Sequence, residues 1–295
     1  MELGRLGVFG TAEAQGIEGS VAFARKIESL GYSVLWLPEA FMLDPLVHAA
    51  HLLVHTERLV LATGICNIYA RDALASICAA NSLSAQSGGR FVLGIGVSHK
   101  SFVEGIRGHS YLGPIETMRA YLDGMDKARA AYVGPVPPEP PPVVIGALRR
   151  KMLTLAGERT QGAHPYLTTP EHTARAREIL GPDKWLCVEQ KVVLETNPSR
   201  AREAGRGSMS VNIALPNYQA NLRWLGYEDA DFQDGGSDRI VDALIGWGDE
   251  RAVAKRVQEH FDAGASHVCV QAVRPDGERG PDLKVLEALA PQGGI

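Results

Sequence analysis

The chain has 295 residues, of which 45% are hydrophobic, and a formal net charge of −4 at pH 7. This length and apolar content can form one large buried core, and we expect a single domain over residues 1–295. Acidic and basic residues are interspersed, which argues against a nucleic-acid partner and against binding to a membrane surface.

The N-terminal residues show no basic region followed by a long apolar stretch, and no segment reaches the roughly 18–20 apolar residues that span a bilayer. We therefore expect a cytoplasmic protein. The four cysteines, Cys66, Cys78, Cys187 and Cys269, lie far apart and form no C-x-x-C motif. This spacing predicts neither a disulfide framework nor a metal site.

Short apolar runs typical of buried strands alternate with amphipathic helical segments. The predicted strands are Leu6–Phe9, Val34–Pro38, Leu59–Ile65, Phe91–Val97, Val143–Ala147, Gly162–Leu167, Leu186–Leu194 and His267–Val273. The predicted helices are Gly16–Leu30, Pro45–His55, Ala73–Gln86, Ile115–Ala131, Lys151–Gly157, Pro170–Leu180, Pro198–Gly205 and Glu250–Ala263. Eight alternations predict a parallel sheet, and this count favours a closed (β/α)₈ TIM barrel over an open doubly wound sheet.

Two segments interrupt this alternation. The proline-rich segment Gly134–Pro142 cannot be helical and reads either as a loop within one barrel or as a linker between domains. Residues Gly207–Trp247 form a long insertion before the last strand, with helical pieces predicted near Pro216–Leu225 and Asp238–Ile245.

The segment Ser87–His99 is the most informative motif, because it ends a helix, crosses a buried strand and reaches a polar tip. Gly94 and Gly96 lack side chains on this strand, so a flat ligand could lie against its backbone. The pattern S-G-G-R-F-x-L-G-I-G after the strand Thr63–Asn67, together with Arg71, resembles the luciferase-like flavin and deazaflavin oxidoreductases. Further motifs resemble the branch that uses coenzyme F420, namely Gly96–His99, Tyr111, Pro114 and Tyr121–Leu122.

This resemblance implies a TIM barrel that transfers a hydride between coenzyme F420 and a small organic substrate, and it implies a homodimer. An FMN-dependent monooxygenase is the alternative within the same class. A barrel that has lost catalysis and only binds a flavin is the alternative outside it.

The carboxyl ends of the strands in a TIM barrel converge on one face, where active sites lie. Glu39 ends the second strand and His99 follows the fourth, and both side chains can handle a proton beside a hydride acceptor. Glu39 could instead cap the next helix, and His99 could instead bond a loop carbonyl. The resemblance places Glu39 and Ala40 where related dehydrogenases carry an Asp-His pair, so the histidine of that pair is absent.

The strand ends also define the predicted cofactor-binding set: Glu39, Gly64, Ile65, Cys66, Asn67, Val97, Ser98, His99, Gly146, Ala147, Leu148, Arg149, Tyr166, Thr168 and Thr169. The resemblance implies a non-proline cis peptide at Gly64–Ile65, against the middle of the cofactor ring. Arg149 opens a helix and could reach an anionic group, or it could remain solvated. In a relative, phosphate contacts fall at Tyr166 and Thr169.

Other patterns carry little weight. His48, His51 and His55 share a helical face at metal-compatible spacing but have no acidic ligand between them. Gly94-Ile95-Gly96 lacks the third glycine of a dinucleotide fingerprint. Ser98 and His99 are adjacent, which is poor geometry for a hydrolase pair.

Overall fold

The computed structural model describes residues 1–10, 12–135, 137 and 139–291. In chain order its strands are β1 (Leu6–Phe9), β2 (Val34–Leu37), β3 (Val60–Thr63), β4 (Cys66–Asn67), β5 (Phe91–Gly96), β6 (Val143–Ile145), β7 (Gly162–Ala163), β8 (Trp185–Leu194), β9 (Ile245–Gly248) and β10 (His267–Val273). Neighbouring strands are parallel in the order β1, β2, β3, β5, β6, β7, β8 and β10, and β10 pairs back onto β1. The eight strands therefore close into the predicted TIM barrel.

The helices surround the barrel. They are α1 (Gly16–Ser29), α2 (Pro45–Leu53), α3 (Ala73–Gln86), α4 (Lys100–Gly105), α5 (Pro114–Ala131), α6 (Arg150–Arg159), α7 (Pro170–Leu180), α8 (Pro198–Ile213), α9 (Pro216–Trp224), α10 (Asp238–Leu244), α11 (Glu250–Asp262) and α12 (Leu283–Ala288). Thr169 and Asn197 accept hydrogen bonds from the first turns of α7 and α8, as predicted from their position before a proline. None of the helices in the described ranges has both the length and the apolar character that crossing a bilayer requires.

Alternating side chains of each strand face the barrel interior and the helices. In β10, Val268 and Val270 belong to the core between sheet and helices, while Cys269 packs inside the barrel with Trp36 and Cys187. This period of two also turns Glu189 and Lys191 of β8 into the interior, where both are fully buried.

The insertion begins later than predicted, because α8 continues to Ile213 rather than ending near Gly205. The predicted pieces near 216–225 and 238–245 are confirmed as α9 and α10. After α10, β9 pairs with the last residues of β8. A separate apolar cluster that includes Leu222, Ile240 and Leu244 joins the insertion to the barrel.

The proline-rich segment connects α5 to β6. Because β5 and β6 pair directly, the segment joins elements of the same barrel. Val136 and Pro138 of this segment lie outside the described residues.

Candidate active site

A cavity of about 1820 Å³ opens at the carboxyl ends of the barrel strands. The predicted residues that line it are Glu39, Gly64, Ile65, Asn67, Val97, Ser98, His99, Gly146, Ala147, Leu148, Arg149 and Tyr166. Residues from α8 and α9, including Asn212 and Tyr218, form part of the wall. The insertion thus contributes to the site.

Three predicted cofactor-binding residues are not among the lining residues. Cys66 is 1% exposed and packs in the core between sheet and helices, where burial raises the pKa of its thiol to about 12. Thr168 is 1% exposed, and the Thr169 hydroxyl accepts the backbone N–H of His172. Burial and helix capping keep these side chains away from the cavity, and the assignment of the three residues to the cofactor site stays a prediction.

Glu39 is held by a network of hydrogen bonds. Its carboxylate accepts the backbone N–H of Asn67 at 2.6 Å and two guanidinium bonds from Arg71 at 2.7 and 3.1 Å. Arg71 also pairs with Asp44 at 2.9 Å, and Arg107 lies 3.5 Å from Glu39. The side chains of Glu39 and Arg71 are only 8% and 12% exposed. This geometry suits Glu39 to fixing the strand end at Asn67.

His99 follows β5 and starts α4. Its ring centroid lies 5.6 Å from that of Tyr218 and 5.7 Å from that of Phe102. Burial lowers the pKa of His99, so its imidazole is mainly neutral at pH 7 and can accept a proton. The preceding Ser98 has a φ of 57°, an uncommon conformation for a residue with a side chain.

The peptide bond between Gly64 and Ile65 is cis, as the resemblance implied. Gly94 and Gly96 lie close to other groups of the protein. A Cβ atom on Gly94 would lie 1.9 Å from the Thr63 carbonyl oxygen, and one on Gly96 would lie 2.3 Å from Cδ1 of Ile65. These glycines therefore make room for β3 and for Ile65. Gly96 also lines the cavity, and the approach of a flat ligand to its backbone stays a prediction.

Aromatic and imidazole rings form the deepest part of the cavity. His164 stacks on Trp36 with ring centroids 4.3 Å apart, and Phe9 lies 6.0 Å from His164 on a nearly parallel plane. Nδ1 of His164 lies 2.8 Å from the Cys187 carbonyl oxygen, so this nitrogen carries the proton. Burial lowers the pKa of His164 to about 4, which leaves Nε2 as an unprotonated acceptor without a partner among the described residues.

A buried charged pair beneath the cavity was not predicted. Lys191 Nζ lies 3.7 Å from Glu189 Oε1 and donates hydrogen bonds to the Tyr166 hydroxyl at 2.7 Å and to Gln271 Oε1 at 2.6 Å. Glu189 also accepts the backbone N–H of Leu167 at 2.9 Å. Burial lowers the pKa of Lys191, whereas the facing carboxylate favours its charged form.

The Tyr166 hydroxyl, where a phosphate contact is expected, belongs to this network. It donates to Gln271 at 3.1 Å and accepts from Lys191, so its one proton is used inside the barrel. The phosphate contact stays a prediction. The signal in the sequence for the buried pair was the polar triplet Glu189-Gln190-Lys191 in the middle of a strand that is apolar on both sides of it.

Basic groups concentrate at the mouth of the cavity. Arg149 precedes the first turn of α6 and donates to Asn217 of α9 at 3.2 Å. Lys100, Arg107 and His109 also line the cavity. The first turn of α6 follows Arg149 directly, and the N–H groups at a helix start favour an anionic group. Among the described residues, no group of three or more His, Cys, Asp or Glu side chains could hold a metal ion.

Comparison with known proteins identifies the family of this barrel. The family model of the luciferase-like monooxygenases matches residues 2–267. The chain belongs to this family. The match begins before β1 and ends at the start of β10, so family membership extends over almost the whole barrel.

One relative of this chain is a Mycobacterium tuberculosis protein named as a coenzyme F420-dependent oxidoreductase. It is 33% identical over 177 residues, which cover 60% of this chain and 48% of that protein. The chain thus matches about half the length of that relative.

Two solved structures share the fold. The coenzyme F420-dependent tetrahydromethanopterin reductase of Methanopyrus kandleri has a TM-score of 0.72 and 17% identity, with 98% of each chain covered. A Type II Baeyer-Villiger monooxygenase of Pseudomonas putida, in complex with FMN, has a TM-score of 0.67 and 17% identity over 98% of this chain and 96% of its own. These two likenesses show the fold of the chain.

Proposed function

We propose that this protein is an oxidoreductase that transfers a hydride between coenzyme F420 and a small organic substrate. The observation that carries the proposal is the size and position of the cavity in a luciferase-like barrel. Its volume of about 1820 Å³ exceeds the roughly 300–1000 Å³ of a typical small-molecule pocket. A cofactor and a substrate together account for such a volume.

The lining residues fit a cofactor with a flat ring and an anionic tail. Ile65 and Phe9 line the cavity and offer apolar surface for the ring. Arg149 and the first turn of α6 offer cationic and N–H groups for a phosphate at the mouth.

When bound, the deazaflavin supplies the carbon that gives or receives the hydride. The residues of the chain orient the reactants and handle protons around it. His99 is held neutral by burial and can accept a proton from a substrate hydroxyl or donate its N–H to a substrate oxygen. Glu39 and Arg71 fix the strand end beside the cavity, while Tyr218 and Phe102 exclude water around His99.

An FMN-dependent monooxygenase is the second candidate, because the FMN-bound monooxygenase of Pseudomonas putida shares the fold. A barrel that binds a flavin without catalysis is the third. The motifs at Gly96–His99 favour coenzyme F420, and the presence of His99 in the cavity favours an enzyme.

Titration of the purified protein with F420 and with FMN tests the cofactor. We expect F420 to bind more tightly, and Arg149→Met to weaken its binding by about 3- to 30-fold, since one charge-assisted hydrogen bond is lost. The adjacent Arg150→Met is the control, because Arg150 does not line the cavity. FMN binding at least tenfold tighter, a difference of about 1.4 kcal/mol, would contradict the proposal. Failure to bind either cofactor would also contradict it.

We also propose a homodimer. Several large apolar side chains are exposed before, on and directly after α2, including Phe41 (67% exposed), Val47 (72%) and Val54 (69%). Exposed apolar groups of this kind are typical of subunit contacts. A molar mass of one chain, about 31.7 kDa, measured by light scattering at micromolar concentration would contradict a dimer.

A further inference from the structure

Gln271 stands between the buried Lys191 network and the cavity. It lies on β10 at a position that faces the barrel interior, and it lines the cavity beside Tyr166. Its Oε1 atom accepts hydrogen bonds from Lys191 Nζ at 2.6 Å and from the Tyr166 hydroxyl at 3.1 Å. The oxygen end of this amide is therefore occupied on the side away from the cavity.

The same contacts determine which way the amide is turned. An ammonium group has only donors, so Gln271 must present its oxygen to Lys191. Turning the amide over would place its NH₂ group against the ammonium and would lose the hydrogen bond from Lys191. Glu189 at 3.7 Å and the Tyr166 hydroxyl at 2.7 Å hold the ammonium in place. Lys191 thus acts as a positioning residue for Gln271.

The nitrogen end of the amide is the free end. Within the described ranges, Gln271 Nε2 has no acceptor at hydrogen-bond distance, and the residue is half-buried at the cavity wall. Two N–H donors with a fixed direction and no partner among the described residues favour a ligand atom that accepts hydrogen bonds. Such groups in a cavity confer orientation and specificity.

We propose that Gln271 is a substrate-specificity residue that binds a carbonyl oxygen of the substrate. This inference rests on the proposed hydride transfer and names the substrate class, a ketone, aldehyde, enone or quinone. N–H donors aimed at a carbonyl oxygen bind it more strongly as negative charge develops there. A substrate that presents only a cationic nitrogen would meet two donors and would be rejected.

The test uses two probes of nearly the same shape, acetophenone and α-methylstyrene, in which C=O is replaced by C=CH₂. Their dissociation constants are measured by NMR titration of the full chain, with and without saturating F420. The wild-type protein is expected to bind acetophenone about three- to tenfold more tightly, the range that one net hydrogen bond supplies.

Gln271→Glu keeps an acceptor for Lys191 and Tyr166 and replaces the NH₂ group with a carboxylate oxygen. We expect this variant to lose the preference or to favour α-methylstyrene. Gln271→Met, which removes both ends of the amide, provides a second variant without the donor. Gln86→Glu is the matched control, because Gln86 is exposed at the end of α3, and it is expected to keep the wild-type ratio.

A wild-type ratio near one would overturn the proposal, and so would an unchanged ratio in Gln271→Glu. If Gln271→Glu instead weakens F420 binding tenfold and leaves the probe ratio unchanged, the amide serves the cofactor and the proposal is wrong. Because the ratio is also measured without cofactor, this inference and the proposed function can fail separately.

Discussion

Gly96→Ala tests whether glycine at this position is required to accommodate Ile65. The new Cβ atom would lie 2.3 Å from Cδ1 and 2.8 Å from Cγ1 of Ile65, but 3.7 Å from its Cβ. Crowding of this kind destabilises the folded state by about 1–3 kcal/mol. Alanine also restricts the unfolded chain more than glycine does, which stabilises the protein by about 0.4–1 kcal/mol. We expect a net loss of about 1–2 kcal/mol in the free energy of unfolding, measured by urea denaturation.

A double-mutant cycle between Gly96→Ala and Ile65→Ala tests whether contact with Ile65 causes the loss of stability. Ile65→Ala removes both atoms that lie within 3 Å and leaves an ordinary contact at 3.7 Å. In that background Gly96→Ala is expected to be neutral or stabilising, which gives a coupling energy of at least about 1 kcal/mol. Gly207→Ala is the control, because nothing lies within 4 Å of its new Cβ atom. Equal effects of Gly96→Ala in both backgrounds would refute the packing argument.

Three further predictions concern charge and protonation. Glu39→Gln is expected to lower the free energy of unfolding by about 1.5–3 kcal/mol and to lower turnover, because its charged bonds to Arg71 weaken. Urea denaturation checks the stability loss, and a change no larger than that of the exposed control Glu57→Gln would refute it. His99→Ala is expected to lower kcat by about 10²- to 10⁴-fold with little change in the Kd of F420, and unchanged turnover would remove His99 from the mechanism. Four buried histidines have pKa values lowered by burial to about 3 or 4, so the unfolded state binds more protons than the folded state below pH 6.5. Stability is therefore complete above pH 6.5 and should fall from pH 6.5 towards pH 4, by about 1.4 kcal/mol per pH unit for each histidine. The four histidines are His164, His172, His260 and His267. A urea midpoint that stays constant from pH 7.5 to pH 5 would contradict this last prediction.

Most of the barrel could be predicted because its signals are local. The strand Leu6–Phe9 and the helix Pro170–Leu180 were predicted with the bounds that the structure has. The residues that form an apolar run, or that cap a helix, are neighbours in the chain. The strand or helix that they predict can therefore be identified without knowledge of the rest of the fold. The short β7, only Gly162–Ala163, was predicted too long because its apolar run continues into residues that leave the sheet.

The floor of the site could not be predicted in the same way. Lys191 and Gln271 are 80 residues apart and meet only because β8 and β10 pair when the barrel closes. The space beside Gly96 is filled by the side chain of Ile65. This contact could not be predicted, because an apolar run indicates that a strand is buried but does not indicate which residues pack against it. Most of the residues predicted from the strand ends nevertheless line the cavity, because closure brings all carboxyl ends together.

The most direct test of the account is anaerobic oxidation of reduced F420 by a panel of enones, imines and quinones. The wild-type protein is expected to restore the absorbance of the oxidised cofactor with at least one carbonyl acceptor. Gly146→Leu, which places a side chain in the cavity wall, is expected to lose this activity while remaining folded. No turnover with reduced F420, together with oxygen-dependent turnover in the presence of reduced FMN, would contradict the central claim.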